Sequence, residues 1–182
     1  MRDAVREAFP ELASIDDPDL REGVLRAWTT ACEDAGVTDL EAVPWLPPTQ
    51  AELDLPDERL VPHVRDVTRG ALALAEILTE REAVAIDVDT LVAGALVHDV
   101  SKLAEFDGTE PTAVYDLLGH PHYGVHVAAS AGLPVAVQHV LLAHTARTSV
   151  EPATIEAELV RRADEAAAAA IRSTRLADLR DA

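Results

Sequence analysis

The chain has 182 residues, enough for one sizeable hydrophobic core, and nothing in this length requires a second. Hydrophobic residues make up 48% but aromatic residues only 3%, and this Ala- and Leu-rich composition favours close-packed helices, so we expect an all-α fold. The formal charge of -18, from 33 acidic and 15 basic residues, argues against binding of a nucleic-acid polymer, because phosphate contacts need clustered Lys and Arg.

The cellular compartment follows from a few further features. The single cysteine, Cys32, has no partner for an internal disulfide, which fits a reducing cytoplasm. The N-terminal MRDAVREAFPEL lacks the apolar run of a signal peptide, and no window reaches the roughly 18 apolar residues of a membrane span. We therefore expect a cytoplasmic protein without membrane contact. One lysine against fourteen arginines and the acidic excess also suit a salt-rich cytoplasm, where screening weakens self-repulsion.

Residues 1–58 carry both tryptophans and no histidine, and we predict that they form a helical extension and a Pro-rich loop that pack on the core without a catalytic role. Asp17 as an N-cap, an apolar stripe through Trp28 and a stop at Gly36 predict a helix over about 18–35. This helix could serve a homodimer as easily as a core. The following PWLPPTQAELDLP has no periodicity and predicts an ordered loop that could form a lid or a flank of a pocket.

Residues 59–182 are predicted to form a bundle of about five core helices. Gly, Pro or polar clusters separate most of the segments, which we place at about 58–80, 88–104, 121–131, 134–146 and 153–176. The stretch from Thr90 to Val100 is apolar nearly all round, as expected of a central helix. The short segment from Val84 to Val88 is a strand candidate that could equally connect two helices.

The dipeptide His98-Asp99 follows the apolar run LVAGALV. Burial of an imidazole and a carboxylate costs hydration free energy that Leu and Val do not lose, and metal coordination is the commonest way to offset that cost. Adjacent side chains on a helix do not face each other, so the two could not satisfy one another as a purely structural pair. We therefore interpret His98 and Asp99 as metal ligands on the central helix.

Further histidines and an aspartate lie about one helix and one loop apart. With the pair, they form the series His63, His98, Asp99, His120, His144 and Asp164. The helices of a bundle can project such residues into one interior point. The order H…HD…H…H…D resembles the HD superfamily of metal-dependent phosphohydrolases over roughly residues 60–175. The segments GALVHDVSK, GHPHYGVHVA, LLAHTA and VRRADEAAAA are each similar to the family's sequence around the corresponding ligand.

The resemblance implies an HD-domain helical bundle with a dinuclear centre of two divalent transition-metal ions. Asp99 would bridge the metals, and the other residues would form two sets: His63, His98 and Asp164 for one metal, and His120 with His144 for the other. Imidazole and carboxylate ligands suit Fe, Mn, Co, Ni or Zn without choosing among them. A water shared by two metals would lose its proton near neutral pH and attack a phosphoester or phosphoanhydride of a small phosphorylated substrate, such as a nucleotide.

Lys102 and Arg147 are candidates for substrate binding. Lys102 is the only lysine and lies four residues after His98, where HD proteins often carry a phosphate-binding lysine. Its compact ammonium is a suitable partner for a phosphate oxygen near the metals, so we assign it a catalytic role beside Asp99. Arg147, in HTARTS, is a second such cation.

Other histidines and arginines are less clearly placed. His122 and His126 are spaced i,i+4, a spacing at which two histidines of one helix can bind metal, although the H-x-x-x-G match selects His120 as the ligand. We therefore predict that His122 and His126 contact substrate or support the ligands. His139 is predicted to be structural or solvated. Arg65 and Arg69 follow His63 at helical spacing and could face either the pocket or acidic neighbours.

Four alternatives stay open. Some HD proteins bind a single metal through the first histidine, the HD pair and the last aspartate alone. Others use the same six ligands for two irons and cleave C–C or C–P bonds with dioxygen. Lyase or hydratase chemistry on a neutral molecule would leave Lys102 without a phosphate to bind. A regulatory module without turnover is the least favoured alternative, because degenerate sites usually lack ligands and this chain lacks none.

Overall fold

The computed structural model describes residues 1–55, 57–81 and 84–181, and these residues are predominantly helical. The α-helices are α1 (Arg2–Ala8), α2 (Pro18–Asp34), α3 (Pro47–Leu53), α4 (Leu60–Thr79), α5 (Val88–Val97), α6 (Lys102–Glu105), α7 (Ala113–Leu117), α8 (Gly119–Ser130), α9 (Val135–Ala143) and α10 (Ile155–Ser173). The described residues also form short 3-10 helices at Pro10–Ser14, Leu40–Ala42 and Leu179–Asp181, and one antiparallel hairpin of β1 (Phe106–Asp107) and β2 (Glu110–Pro111). The all-α prediction is confirmed.

Helix α5 is the centre of the bundle. It packs against α4, α9 and α10, and also against α2 from the N-terminal region. Every residue from Thr90 to Val97 is buried, because this segment has no polar face to turn towards water. Close approach to α9 depends on Gly94, where an added Cβ would lie 2.7 Å from Val140 Cγ1. The apolar run thus fixes the position from which His98 and Asp99 project.

The N-terminal region packs on this central helix. Asp17 caps α2 by accepting hydrogen bonds from the backbone N–H groups of Asp19 and Leu20. Trp28 is fully buried, and its Nε1 donates a hydrogen bond to the Leu96 carbonyl oxygen at 2.8 Å. Buried residues of this region and of α4, α5 and α8 belong to one continuous hydrophobic cluster. The boundary at residue 58 stays a prediction.

The predicted helix over 88–104 is wrong in its second half. Helix α5 ends at Val97, a turn follows, and only the single-turn α6 resumes at Lys102. The backbone N–H groups of Val100 and Lys102 donate to the carbonyl oxygens three residues earlier, a tighter pattern than that of an α-helix. His98 and Asp99 therefore lie where the helix ends rather than within it, and their side chains approach each other.

The Pro-rich segment is partly helical rather than a loop throughout. Pro47 and Pro48 occupy the first turn of α3, where a proline loses no hydrogen bond, and Asp54 ends the helix in the left-handed conformation at φ 52°. The Gln50 side chain donates to the carbonyl oxygens of Leu55 and Glu58 and thereby holds the chain in place after the helix.

The strand candidate beginning at Val84 is an irregular connection that leads into α5 at Val88. The sequence did not predict α1, α7 or the β1–β2 hairpin. No helix in the described ranges combines the length and the apolar character that a membrane crossing requires.

Candidate metal centre

Five elements of the bundle bring the predicted ligands to one interior point. His63 lies in the first turn of α4, His120 in the first turn of α8, and Asp164 in the middle of α10. His98 and His144 are the residues that directly follow α5 and α9. The side chains of the four histidines and of Asp99 are almost completely buried, and that of Asp164 is 19% exposed. All six residues of the predicted series therefore meet.

One carboxylate oxygen of Asp99 faces the first group of histidines. Asp99 Oδ2 lies 3.4 Å from His63 Nε2 and 3.3 Å from His98 Nε2. Asp164 completes this side, because its Oδ1 lies 3.1 Å from His63 Nε2 and 3.9 Å from His98 Nε2. His63, His98 and Asp99 offer ligand atoms close enough together for one metal ion.

The other carboxylate oxygen faces the second group. Asp99 Oδ1 lies 3.5 Å from His120 Nε2 and 3.8 Å from His144 Nε2. The two Nε2 atoms are 3.2 Å apart. Asp99, His120 and His144 form a second group of ligand atoms that could hold a metal ion. Asp99 is thus shared by two buried donor sets, one on each oxygen.

The backbone fixes the orientation of two imidazole rings. Nδ1 of His98 lies 2.7 Å from the Ala95 carbonyl oxygen, and Nδ1 of His144 lies 2.7 Å from the Leu141 carbonyl oxygen. A proton on each Nδ1 satisfies these carbonyl groups and leaves the Nε2 lone pair directed at Asp99, the arrangement that metal-ligating histidines adopt.

Several buried polar atoms of the centre have no hydrogen-bond partner among the described residues. They include Asp99 Oδ1, His98 Nε2 and both ring nitrogens of His63. Burial of such atoms without a partner costs free energy, and a cation between them would offset this cost. The donor set therefore fits divalent transition-metal ions.

The electrostatics also favour deprotonated ligands at the centre. Burial alone would raise the pKa of Asp99, but the charges of Lys102 and His98 hold it well below its usual value. Burial also raises the pKa of Asp164, but the contact with His63 and the neighbouring His98 and His144 together lower it below its usual value. Burial, with the neighbouring His98 and His120, lowers the pKa of His144 from 6.5 to about 3. Both carboxylates and His144 are therefore ready to bind a cation at neutral pH.

A cavity of about 330 Å³ opens onto the centre. Lys102, whose side chain is 8% exposed, lines it and lies with its Nζ 2.5 Å from Asp99 Oδ2. Arg147 also lines it, with its guanidinium 5.1 Å from the Tyr115 ring centroid. The Pro-rich segment supplies one wall through Trp45, Leu46, Pro48 and Thr49, so it flanks the pocket.

The other predicted residues lie away from the centre. His122 is exposed, and His126 lines a separate cavity of about 620 Å³. His139 has a structural contact, because its Nε2 accepts a hydrogen bond from the Ala153 backbone N–H at 2.9 Å. Arg65 is paired with Glu11, and Arg69 lies near Asp66. The structure therefore does not support a direct contact of His122 or His126 with the metal centre.

Sequence reasoning missed four residues around the site. Trp45, Tyr115 and Arg172 line the cavity, and the Trp45 ring centroid lies 5.2 Å from that of His63. The sequence could have indicated Arg172 as a pocket residue, because it follows Asp164 by eight residues on the same helical face. Glu105 is fully buried behind His120 and gave no signal, because its partner is fifteen residues away across a hairpin.

Comparisons with known proteins agree with this geometry. The family model described as HD domain matches residues 61–169. A curated relative, the dihydroneopterin 2′,3′-cyclic phosphate phosphodiesterase of Methanocaldococcus jannaschii, is 34% identical over 114 residues. The match covers 59% of this chain and 45% of the relative, so the chain spans about half of that relative's length. No solved structure matches the chain significantly.

Proposed function

The chain belongs to the HD-domain family, and from this premise we propose that it is a metal-dependent phosphohydrolase that cleaves a phosphoester or phosphoanhydride of a small substrate. The observation that carries this proposal is the position of Asp99, whose two oxygens face two separate sets of buried donor atoms. The phosphodiesterase activity named for the relative supports the same reaction class.

In this proposal His63, His98 and Asp164 would hold one metal ion, His120 and His144 would hold a second, and Asp99 would contribute an oxygen to each. Two ions bound there would lower the pKa of a shared water and withdraw charge from the phosphoryl oxygens. The orphaned nitrogens and oxygens of the centre support this assignment, because a protein interior rarely leaves so many polar atoms of one cluster unpartnered.

Lys102 and Arg147 supply the cationic contacts of the substrate. Lys102 holds the Asp99 carboxylate in place and, because it also lines the cavity, can donate a hydrogen bond to a phosphoryl oxygen. Arg147 lies beside the other donor set, with its Nη1 3.5 Å from His120 Nδ1. Its side chain is 43% exposed, so it can turn towards an entering anion.

The dimensions of the cavity limit the substrate to a small molecule. A volume of about 330 Å³ suits a nucleotide-sized compound. The net charge of -18 would repel a polyanionic polymer, whereas three cations line the pocket itself. A small cyclic phosphodiester or a nucleotide is therefore the substrate class that we propose. A homodimer and a cytoplasmic location stay predictions.

A metal-dependent phosphate-release screen tests the proposal. The purified protein would be analysed for metal and then assayed with Mn, Fe, Co, Ni or Zn against nucleotides, cyclic nucleotides and small phosphoesters, with and without dioxygen. We expect product release without dioxygen, loss of activity and of most bound metal in Asp99→Ala, and retention of both in Asp116→Ala, which changes an exposed carboxylate. Turnover that requires dioxygen, or activity that survives Asp99→Ala, would show that the mechanism is wrong.

A further inference from the structure

Arg172 stands out among the arginines of α10 and of the residues just after it, because it has no acidic partner among the described residues. Arg161 and Arg162 are each paired with two glutamates, and Arg175 lies near Asp54. Arg172 instead lines the cavity of the metal centre, and its guanidinium lies over the face of Trp45, 5.7 Å from the ring centroid. In a chain with twice as many acids as bases, an unpaired guanidinium at a pocket wall is available for an anionic ligand.

The position of Arg172 separates it from the reacting centre. Asp164, Ala168 and Arg172 all line the cavity from one face of α10 at intervals of four residues. Eight residues of α-helix rise by about 12 Å, so Arg172 begins two turns beyond the Asp164 position. The small side chain of Ala168 leaves the space between them open. A group bound by Arg172 would therefore belong to a part of the substrate several bonds from the phosphate that reacts.

Trp45 provides a second observation at the same wall. The residue is 2% exposed, and its indole Nε1 has no hydrogen-bond partner among the described residues. This N–H has almost no accessible surface, so Trp45 contributes to the wall through its ring, which lies beneath the Arg172 guanidinium. Both Lys102 Nζ and the Arg172 guanidinium lie 5.7 Å from its ring centroid. Lys102 is already held by Asp99, whereas Arg172 has no acidic partner among the described residues.

We propose that Arg172 and Trp45 form a subsite for a second phosphate group of the substrate, distinct from the phosphate that is cleaved beside Asp99. This inference rests on the proposed phosphohydrolase function and names its substrate class more closely: a small phosphodiester or phosphoester that carries a further phosphate. A phosphate group presents several acceptor oxygens and can take two parallel hydrogen bonds from the Arg172 guanidinium.

A matched pair of substrates tests the subsite. Adenosine 2′,3′-cyclic phosphate carries only the reacting phosphate, and its 5′-phosphorylated form carries a second. We expect the wild-type protein to have a higher kcat/KM for the second compound, mainly through a lower KM. We expect Arg172→Gln to lower this preference ratio about tenfold, since a charge-assisted hydrogen bond is lost. Trp45→Phe, which gives the Arg172 guanidinium a smaller aromatic face to lie on, should lower the same ratio by a smaller factor.

Arg175→Gln is the matched control, because Arg175 lies one turn further along the chain, is exposed and does not line the cavity. It should keep the wild-type ratio. An equal kcat/KM for both compounds in the wild type, or an unchanged ratio in Arg172→Gln, would overturn the subsite even if hydrolysis itself is observed.

A direct binding measurement distinguishes failure of the proposed hydrolytic function from failure of the subsite. If the wild type hydrolyses neither compound, tryptophan fluorescence is titrated with each, because Trp45 lies in the cavity. Tighter binding of the doubly phosphorylated compound that Arg172→Gln abolishes would support the subsite without the reaction. Equal binding of the two compounds by the wild type would overturn it.

Discussion

Glu105 contacts His120 through both the backbone and the ring. Its Oε1 accepts a hydrogen bond from the His120 backbone N–H at 2.7 Å, and its Oε2 lies 3.5 Å from His120 Nδ1. The carboxylate is fully buried, and Oε2 has no hydrogen-bond partner among the described residues. Glu105 therefore orients the ring so that Nε2 faces Asp99, as carboxylates do behind metal-ligating histidines.

We expect Glu105→Gln to weaken metal binding about 10- to 100-fold, because the amide keeps the shape of the side chain but removes the charge behind His120. Metal titration of the chelator-treated protein by calorimetry measures this affinity. Glu110→Gln, an exposed change in β2 of the neighbouring hairpin, should bind metal as the wild type does. Equal affinities for Glu105→Gln and the wild type would mean that Glu105 has no part in positioning His120.

The contact between α5 and α9 gives a stability prediction. A Cβ at Gly94 would lie 2.7 Å from Val140 Cγ1 and 2.9 Å from Val140 Cβ, closer than packed carbon atoms allow. We expect Gly94→Ala to lower the free energy of unfolding by about 1–3 kcal/mol, because α5 and α9 must move apart. Urea unfolding measures the change.

Gly70→Ala is the matched control for Gly94→Ala. Gly70 lies within α4, and the nearest atom to its added Cβ is the Ala163 Cβ at 3.5 Å, an ordinary contact. The same substitution should leave stability unchanged or raise it, since alanine favours the helix. A similar loss in both variants would indicate a general effect of the methyl group rather than a clash with Val140.

Much of the fold could be predicted because the chain marks its long helices clearly. Asp17, Pro18 and Gly36 bracket α2, and the apolar run before His98 identifies the central helix. The break after Val97 could not be predicted, because residues 98–104 continue a helical pattern and contain neither Gly nor Pro. The tight turn there is favoured by the buried contacts of Asp99 with His63 and His120, which are tertiary and leave no local signal.

The candidate site could be predicted only in part for a similar reason. Its ligand series is carried by residue types that are costly to bury, so each member stands out from an apolar context. The pocket wall depends instead on Trp45, which is held by the hydrogen bond from its backbone N–H to the Glu58 carbonyl oxygen, in a segment without periodicity. His126 is a residue that the sequence analysis placed near the site but that lines a different cavity. Its helical spacing alone did not indicate which cavity it faces.

Removal of metal should destabilise the protein. Without a cation, Asp99 Oδ1 and His98 Nε2 are buried without hydrogen-bond partners in the described structure. At a metal concentration 100 times the dissociation constant, binding contributes about 2.7 kcal/mol, which corresponds to a fall of about 5–10 °C in Tm on chelation. Calorimetry with and without EDTA measures the shift, which metal addition should reverse. A Tm that EDTA does not change in the wild type would contradict a bound metal, and Asp99→Ala should show little response.

The stability of the metal-free protein should also fall on acidification because of His144. Burial and the neighbouring His98 and His120 lower the pKa of His144 from 6.5 to about 3 in the folded protein. Between these values the unfolded chain binds a proton that the folded state does not, so stability present above pH 6.5 is lost towards pH 3. His98 has the opposite effect on stability. Burial lowers the pKa of His98, but its neighbours, Asp99 above all, raise it above 6.5. The stability that this raised pKa contributes is fully present below pH 6.5. Asp99 and Asp164 lose their contributions only below about their usual pKa of 3.8.

As the pH falls from 6.5 to 4.5, His144 should therefore contribute a slope that rises towards about 1.36 kcal/mol per pH unit, the value for one proton. Urea unfolding of EDTA-treated protein at pH 4.5, 5.5 and 6.5 measures it. We expect the wild type to lose stability more steeply than His144→Gln by about this amount, since the amide does not titrate. Parallel curves for the wild type and His144→Gln would show that His144 is not held neutral by its burial at the centre.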